Sequence, residues 1–143
     1  MHLTSLWRHP DIITKPLDHL TLTDVHLDDR YVWKTLPSMK QNGLKYPLVC
    51  FTATEEFYWK KFWKVCPTFM KERLPEPTVV NGIIYMIKGG NNRYQSAKVM
   101  GCSSIDCLIF AEQIDAIRWM KYLDQCDPIN NPQLKYQGLI EYK

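Results

Sequence analysis

The sequence predicts an α+β domain in which a small mixed sheet is flanked by helices. Short apolar runs of strand length alternate along the chain with stretches of helical period. Hydrophobic residues make up 45% of the chain, which is enough for a buried core. The 143 residues match the usual size of one domain, so we expect a single domain over 1–143. The formal net charge of +3 argues against disorder and gives no support to a strongly basic nucleic-acid scaffold.

Neither a membrane span nor a secretory signal is evident in the sequence. No apolar run approaches the ~18–20 residues that a bilayer requires. The first ten residues lack the basic stretch and apolar core of a secretory signal. We therefore expect a soluble, cytoplasmic protein without a membrane partner.

The five cysteines are odd in number and contain no C-x-x-C pair. This pattern predicts reduced thiols rather than a disulfide framework. Cys102 and Cys107 are the nearest pair, and two cysteines alone do not make a typical zinc site. We expect the cysteines to be small buried hydrophobic residues and assign no metal to them.

All four histidines lie in the first part of the chain, where the periodicity is weak. Residues 1–16 are expected to form an irregular arm. Apolar and polar residues alternate loosely over 17–27, which predicts a strand followed by a turn. In an extended strand, Asp24, His26 and Asp28 would share one face. These three side chains would either hold a divalent metal or form the solvent-exposed face of an edge strand. We favour the second interpretation.

A helix is expected next, with its end at Gly43. Asp28 or Asp29 can cap its start. Pro37 lies inside that span and is tolerated only in a first turn, so a start near Thr35 is the alternative.

Residues 46–51 predict a buried strand, and 52–77 predict an aromatic helical insertion that begins at Thr52 or Thr54. Two interpretations of the insertion remain open. In the first, an amphipathic helix packs its aromatic side chains on the sheet and leaves its lysines in solvent. In the second, the insertion is a surface for a nucleic acid, or for a protein partner bound through 55–74. The candidate contact residues are Trp59, Lys60, Lys61, Trp63 and Lys64.

A strand is expected over 83–87, entered from an Asn81–Gly82 turn. If that turn is a tight hairpin, residues 78–80 pair with the strand. The elements expected after it are a helix over 91–101, a strand over 105–110, a helix over 112–125, a turn at 127–132 and a short edge strand in the last eleven residues.

The turn between the strand 83–87 and the next helix carries the chemistry. It reads Lys88-Gly89-Gly90-Asn91-Asn92-Arg93. Two glycines let the backbone turn sharply and approach a ligand. Either asparagine can cap the helix, whose first amides then form an anion site. The arginine adds a planar donor fork suited to phosphate, and the lysine adds a second charge. The alternative is a glycine-rich connection without a ligand.

Two boxes of the sequence resemble one superfamily. Residues 90–101, G-N-N-R-Y-Q-S-A-K-V-M-G, resemble the box G-E-R-R-x-R-A-A-K-x-A-G of ParB N-terminal domains. Residues 89–94, G-G-N-N-R-Y, resemble the box G-G-C-H-R-Y of sulfiredoxins, which share the ParB fold. Residues 36–49 are similar to the ParB run L-x-x-S-I-x-x-x-G-L-x-x-P-I-x-V. The resemblance implies a core over 17–51 and 78–110, the insertion 52–77, and a C-terminal helix and tail over 111–143.

The resemblance also implies a ligand, because this box binds nucleotide phosphates in both families. The residues it places at a nucleotide or phosphate site are Gly89, Gly90, Asn91, Asn92 and Arg93. Ser38 matches a hydroxyl near the nucleotide in sulfiredoxins. The expected ligand is a nucleoside triphosphate or diphosphate, ATP or CTP, with Mg²⁺ as a further candidate. The catalytic cysteine of sulfiredoxins falls on Asn91, and an amide cannot act as a thiolate nucleophile, so sulfinic-acid reduction is excluded at this position.

ParB proteins proper carry a second nucleotide motif, E-N-x-Q-R, and a helix-turn-helix domain, and this sequence shows neither. We therefore do not expect a CTP-gated partition clamp. The sequence is closer to stand-alone ParB-like domains of bacteriophages, often called ParB-like nucleases, which act on or beside DNA in the host cytoplasm. The alternatives are a non-catalytic protein that binds a host protein through the insertion, and a nucleotide-dependent phosphotransferase or hydrolase. For an enzyme the candidate carboxylates are Asp28 and Asp29, with Asp24 and His26 also within reach.

Overall fold

A computed structural model describes residues 1–125 as a mixed six-stranded sheet with several helices. The predicted α+β class is therefore confirmed. Cys126, the predicted turn at 127–132 and the predicted last edge strand lie outside the described residues. No helix within 1–125 is both long and apolar enough to cross a membrane.

The strands are β1 (His2–Leu3), β2 (Ile13–Pro16), β3 (Leu20–Thr21), β4 (Leu48–Ala53), β5 (Ile84–Gly89) and β6 (Ser104–Phe110). The α-helices are α1 (Leu36–Asn42), α2 (Glu55–Phe57), α3 (Thr68–Lys71), α4 (Asn91–Val99) and α5 (Gln113–Gln125). A 3₁₀ turn (Leu17–His19) precedes β3, and a π-helical turn (Tyr31–Thr35) leads into α1. A second π-helical turn (Tyr58–Phe62) and a 3₁₀ turn (Trp63–Val65) continue α2.

The strands are ordered β1-β6-β4-β5-β3, and β2 also pairs with β6. β4 is parallel to β6 and antiparallel to β5, whereas β3 is parallel to β5. The two parallel partners of β6 pair with successive parts of it: β1 with residues 104–105 and β4 with residues 107–110. β4 is therefore central, and its neighbour β5 ends at the predicted phosphate turn.

Alternate side chains of β4 enter two hydrophobic cores on opposite faces of the sheet. Leu48 and Cys50 belong to the core that also contains side chains of α1 and α4, and Val49 and Phe51 belong to the core with the insertion and α5. All four side chains are at most 3% exposed. A continuous apolar run is what a strand buried on both faces requires, which explains why the sequence predicted this strand.

The prediction of an irregular arm over 1–16 is wrong, because both β1 and β2 pair with β6. Trp7 is fully buried. The buried carboxylate of Asp106 accepts a hydrogen bond from the Ser5 amide (2.9 Å) and lies 2.8 Å from His2 Nε2. These contacts join positions about a hundred residues apart, and local periodicity carries no signal for them.

The strand predicted over 17–27 is reduced to Leu20–Thr21, and residues 22–26 have no regular structure. The shared strand face of Asp24, His26 and Asp28 therefore does not exist. Thr23 explains the irregular path, since its amide donates to Asn91 Oδ1 (2.9 Å) instead of to a neighbouring strand.

The predicted helix is present, and the alternative start near Thr35 is confirmed, because α1 begins at Leu36 with Thr35 as its N-cap residue, directly after the π-helical turn. Neither Asp28 nor Asp29 caps it: the residue before the π-helical turn is Arg30, and no side chain caps that turn. Pro37 lies in the first turn of α1, where its missing amide hydrogen is tolerated. Gly43 ends the helix as predicted, with φ +72°.

The Asn81–Gly82 turn is present, with φ of +51° and +79° as a type I′ turn requires. The tight hairpin is present but short, because Val80 and Ile83 form one antiparallel bridge through two backbone hydrogen bonds (2.8 and 3.0 Å) and no further pairing between residues 78–79 and β5 is formed. β3 and β4 occupy the two sides of β5 instead. The helices and strand expected after this turn are confirmed as α4, β6 and α5.

The insertion begins as predicted, because Thr54 Oγ1 accepts a hydrogen bond from the Phe57 amide (3.0 Å). It is not one regular helix but a helical segment of changing pitch. Tyr58 is fully buried against Phe62 and Trp63, and burial raises its pKa to about 12. The aromatic side chains thus pack inward, which supports the first interpretation for most of them.

Candidate functional site

An open cavity of about 600 Å³, which we call the turn cavity, lies where β5 ends and α4 begins. All seven residues that the sequence predicted for nucleotide or phosphate binding line it. They are Ser38, Lys88, Gly89, Gly90, Asn91, Asn92 and Arg93. The structure therefore brings the α1 hydroxyl and the glycine-rich turn to one place, although they are 50 residues apart in sequence.

Gly90 gives the turn its shape. Its φ of +109° is a conformation that residues with a side chain rarely adopt. A β-carbon here would overlap Leu48 Cδ2 and lie 2.8 Å from Arg93 Nη2. At Gly89 a β-carbon would crowd the flexible end of Met120, with Cε at 2.8 Å and Sδ at 3.0 Å, and would make an ordinary contact with Val49 Cβ at 3.6 Å. The conformation and the crowding therefore require glycine at position 90. At position 89 a small side chain could be accommodated by a shift of Met120.

The first turn of α4 presents unpaired amides to the turn cavity. No side chain within 1–125 caps this helix, and Gly90 is the N-cap residue. The prediction that Asn91 or Asn92 caps the helix is therefore wrong: Asn91 Oδ1 instead accepts from Thr23. The amides of a first helical turn lack intrahelical acceptors and carry about half a positive charge, which favours an anion.

Arg93 has a structural role that the sequence did not predict. Its Nη1 donates to the carbonyl oxygens of Tyr46 (2.7 Å) and Pro47 (3.1 Å). Burial lowers the pKa of its guanidinium to about 10, so the side chain remains charged at neutral pH. Arg93 therefore ties the segment before β4 to α4 and also leaves a permanent positive charge at the wall of the turn cavity.

Three lysines add to this charge. Lys88 is half-buried, and Lys34 and Lys45 are exposed at the rim. Only Lys88 was predicted, because Lys34 and Lys45 lie in segments whose approach to the turn depends on the tertiary fold. Against four basic side chains stand one carboxylate, Asp24, and the imidazole of His26.

The structure separates the candidate carboxylates. Asp24 and His26 line the turn cavity, whereas Asp28 and Asp29 do not. Asp28 instead lies 3.5 Å from Arg30, and its carbonyl oxygen accepts from Trp33 Nε1 (2.6 Å). Within 1–125 no group of three or more His, Cys, Asp or Glu side chains is arranged to hold a metal ion.

Two residues that line the turn cavity each have a buried polar atom without a hydrogen-bond partner among the described residues. These atoms are the Tyr46 hydroxyl and Asn92 Oδ1. Buried polar groups are nearly always hydrogen-bonded, so unpaired ones at a cavity indicate where a ligand or water belongs. The sequence predicted Asn92 but missed Tyr46, which follows the 36–42 helix by only a few residues and carried no motif signal.

The candidate contact residues of the insertion lie outside the turn cavity. Trp59 is 39% exposed and packs edge-on against Tyr58 and Trp63. Lys60, Lys61 and Lys64 are exposed. Trp63 is half-buried, so these five side chains form a partly aromatic, basic surface rather than part of the pocket.

The four cysteines within 1–125 are free thiols. The hydrogen bond with Cys107 and burial raise the pKa of Cys50 well above its usual value. Burial also raises the pKa values of Cys66 and Cys102. Raised pKa values disfavour thiolates, so none of these three thiols is suited to act as a nucleophile.

No protein-family model matches the sequence, and no curated protein matches it with significant similarity.

Proposed function

We propose that the turn cavity binds the phosphates of a nucleotide and that the chain is a ParB/sulfiredoxin-like domain. The observation that carries the proposal is the convergence of all seven predicted residues on one cavity with an uncapped helix N-terminus. This arrangement of strand, glycine turn and helix is a recurrent way of holding phosphate. The cavity of about 600 Å³ lies within the range of ~300–1,000 Å³ typical of small-ligand sites.

The charge balance supports an anionic ligand. Four basic side chains against one carboxylate make the cavity electropositive. The Ser38 hydroxyl is exposed on α1 and available as a further hydrogen-bond donor. Asp24 is the one carboxylate among the described residues that line the cavity, so Mg²⁺ bound there would be held mainly by the substrate phosphates and water.

Calorimetric titration with ATP, CTP and GTP, with and without Mg²⁺, tests the proposal. Lys88→Met removes the charge and keeps most of the side-chain volume, and Lys40→Met is a matched control on exposed α1 surface outside the cavity. We expect at least one nucleotide to bind, tenfold or more weakly to Lys88→Met and unchanged to Lys40→Met. Absence of binding by every nucleotide contradicts the proposal. Arg93→Ala is a poorer test because it also breaks the contacts with Tyr46 and Pro47.

A nucleotide-dependent phosphotransferase or hydrolase is a second candidate, favoured by the presence of Asp24 and His26 in the same cavity. A carboxylate within reach of a bound phosphate can serve as a general base for an attacking hydroxyl or water. The test is product formation in the presence of Mg²⁺. Turnover lost in Asp24→Asn and retained in Asp28→Asn supports this function, and nucleotide binding without any turnover rejects it.

Contact with DNA is a separate proposal that is supported by the surface of the insertion. Trp59 is exposed enough to stack on a base, and Lys61 and Lys64 have no ion-pair partner within 1–125. Anisotropy of a labelled single strand should show binding that weakens steeply with salt and is lost in the Lys61→Ala/Lys64→Ala double variant. A flat salt response rejects DNA contact. A host protein that binds the wild-type chain and does not bind the Trp59→Ala variant would instead indicate a protein interface.

A further inference from the structure

We propose that a second, smaller cavity beside the turn cavity is the subsite for the base of the nucleotide. We call it the side cavity. The inference rests on the proposed phosphate site and assigns a role to the insertion that the sequence resemblance does not supply.

The side cavity lies next to the turn cavity. Asp24, Lys88 and Asn91 line both. Its volume is about 330 Å³, at the lower end of the range for small-ligand pockets. A ligand whose phosphates lie at the first turn of α4 would reach the side cavity past these three shared residues.

Its walls suit a flat, apolar ring. Phe51, Met86 and Ile87 come from β4 and β5 and are at most 3% exposed. Phe62 and Met70 come from the insertion and are half-buried. Aromatic rings and polarizable thioethers are favourable neighbours for a nucleobase.

The rim carries polar groups that can read the edge of a base. Thr23, Asp24 and Gln113 lie there, the last in the first turn of α5. The segment with Asp24 is held in place, because Thr23 Oγ1 donates to the Ile87 carbonyl and the Thr23 amide donates to Asn91. A carboxylate accepts hydrogen bonds and cannot donate them, so Asp24 selects a base with an exocyclic amino group. Gln113 offers both a donor and an acceptor.

The site is therefore expected to prefer ATP over ITP, or CTP over UTP, since each second member lacks that amino group. Loss of one such hydrogen bond to a charged acceptor corresponds to about tenfold or more in affinity. The preferred nucleotide, ATP or CTP, should bind more tightly than tripolyphosphate, which has no base.

The experiment compares tripolyphosphate, ATP, ITP, CTP and UTP by calorimetry on the full chain. Met70→Trp fills the side cavity, and Phe69→Trp is its control on the exposed side of the same short helix. Gln113→Ala is a second variant that removes a polar rim group without filling the side cavity. We expect Met70→Trp to reduce nucleotide affinity about tenfold, towards that of tripolyphosphate, and to leave tripolyphosphate affinity unchanged. Unchanged tripolyphosphate binding also shows that the variant is folded.

Three results overturn the inference in distinguishable ways. Equal affinity for tripolyphosphate and for the nucleotides removes the base subsite and leaves the phosphate site intact. Base preference that persists in Met70→Trp and in Gln113→Ala places the base elsewhere. No binding of tripolyphosphate or of any nucleotide overturns the proposed function together with the inference.

Discussion

Substituting Gly90 by alanine tests the geometry of the turn most sharply. The backbone there has φ +109°, and a β-carbon would overlap Leu48 Cδ2 and crowd Arg93 Nη2 at 2.8 Å. Leu48 is fully buried and Arg93 is held by two carbonyl oxygens, so neither neighbour can move freely. Gly89→Ala is the matched control, because the close atoms there, Met120 Cε (2.8 Å) and Sδ (3.0 Å), are the far end of a flexible side chain that can shift as a whole.

The expected cost follows from two contributions. A positive φ costs a residue with a side chain about 1–2 kcal/mol. Forcing an extra carbon into a packed core costs about 1–3 kcal/mol more. We therefore expect Gly90→Ala to lose about 2–5 kcal/mol of unfolding free energy, out of the ~5–15 kcal/mol that a domain has. Gly89→Ala should change the unfolding free energy by less than about 1 kcal/mol, because its strain can be relieved.

Urea denaturation followed by tryptophan fluorescence measures both values. Gly90→Ala should also abolish phosphate binding under conditions where most of the protein is folded, because the α4 amides lose their orientation. A Gly90→Ala protein whose unfolding free energy is within about 0.5 kcal/mol of the wild-type value contradicts this prediction. So does a Gly89→Ala protein that is destabilised to the same extent.

Three further predictions concern regions outside the turn. Asp106→Ala should lose about 3–5 kcal/mol of stability because it leaves buried donors unpaired, whereas Arg8→Ala, which truncates a largely exposed partner, should lose less than about 1 kcal/mol. Thermal melts compare the two, and nucleotide affinity should be unchanged in the folded proteins. Thr54→Ala should cost about 1 kcal/mol and Thr54→Ser only a few tenths, since serine keeps the cap; equal losses would show that the cap is unimportant. Alkylation of the native protein at pH 8, mapped by mass spectrometry, should spare Cys50, whose raised pKa and burial oppose thiolate formation, and rapid labelling there would contradict its placement.

The sequence predicted the parts of the fold that depend on local signals. The apolar run at 48–51, the two-glycine turn and the helical period after it each have a direct structural counterpart in β4, Gly89–Gly90 and α4. The turn residues that line the cavity could be named for the same reason, since two glycines at a strand–helix junction have a recognisable backbone chemistry.

The rest depends on contacts between distant positions. The two short N-terminal strands exist only because β6 is available to pair with them. Thr23 takes the oxygen of Asn91 away from the helix end, and the carbonyl oxygens of Tyr46 and Pro47 engage Arg93. Neither set of contacts can be predicted from the residues next to the turn.

The most direct test of the phosphate site is an NMR titration of ¹⁵N-labelled protein with tripolyphosphate and then with the tightest-binding nucleotide. We expect the largest amide shift changes at Asn91, Asn92 and Arg93, with smaller ones near Lys88. Unchanged signals at these amides, or changes confined to the exposed surface around Trp59, would contradict the claim that the N-terminus of α4 holds phosphate.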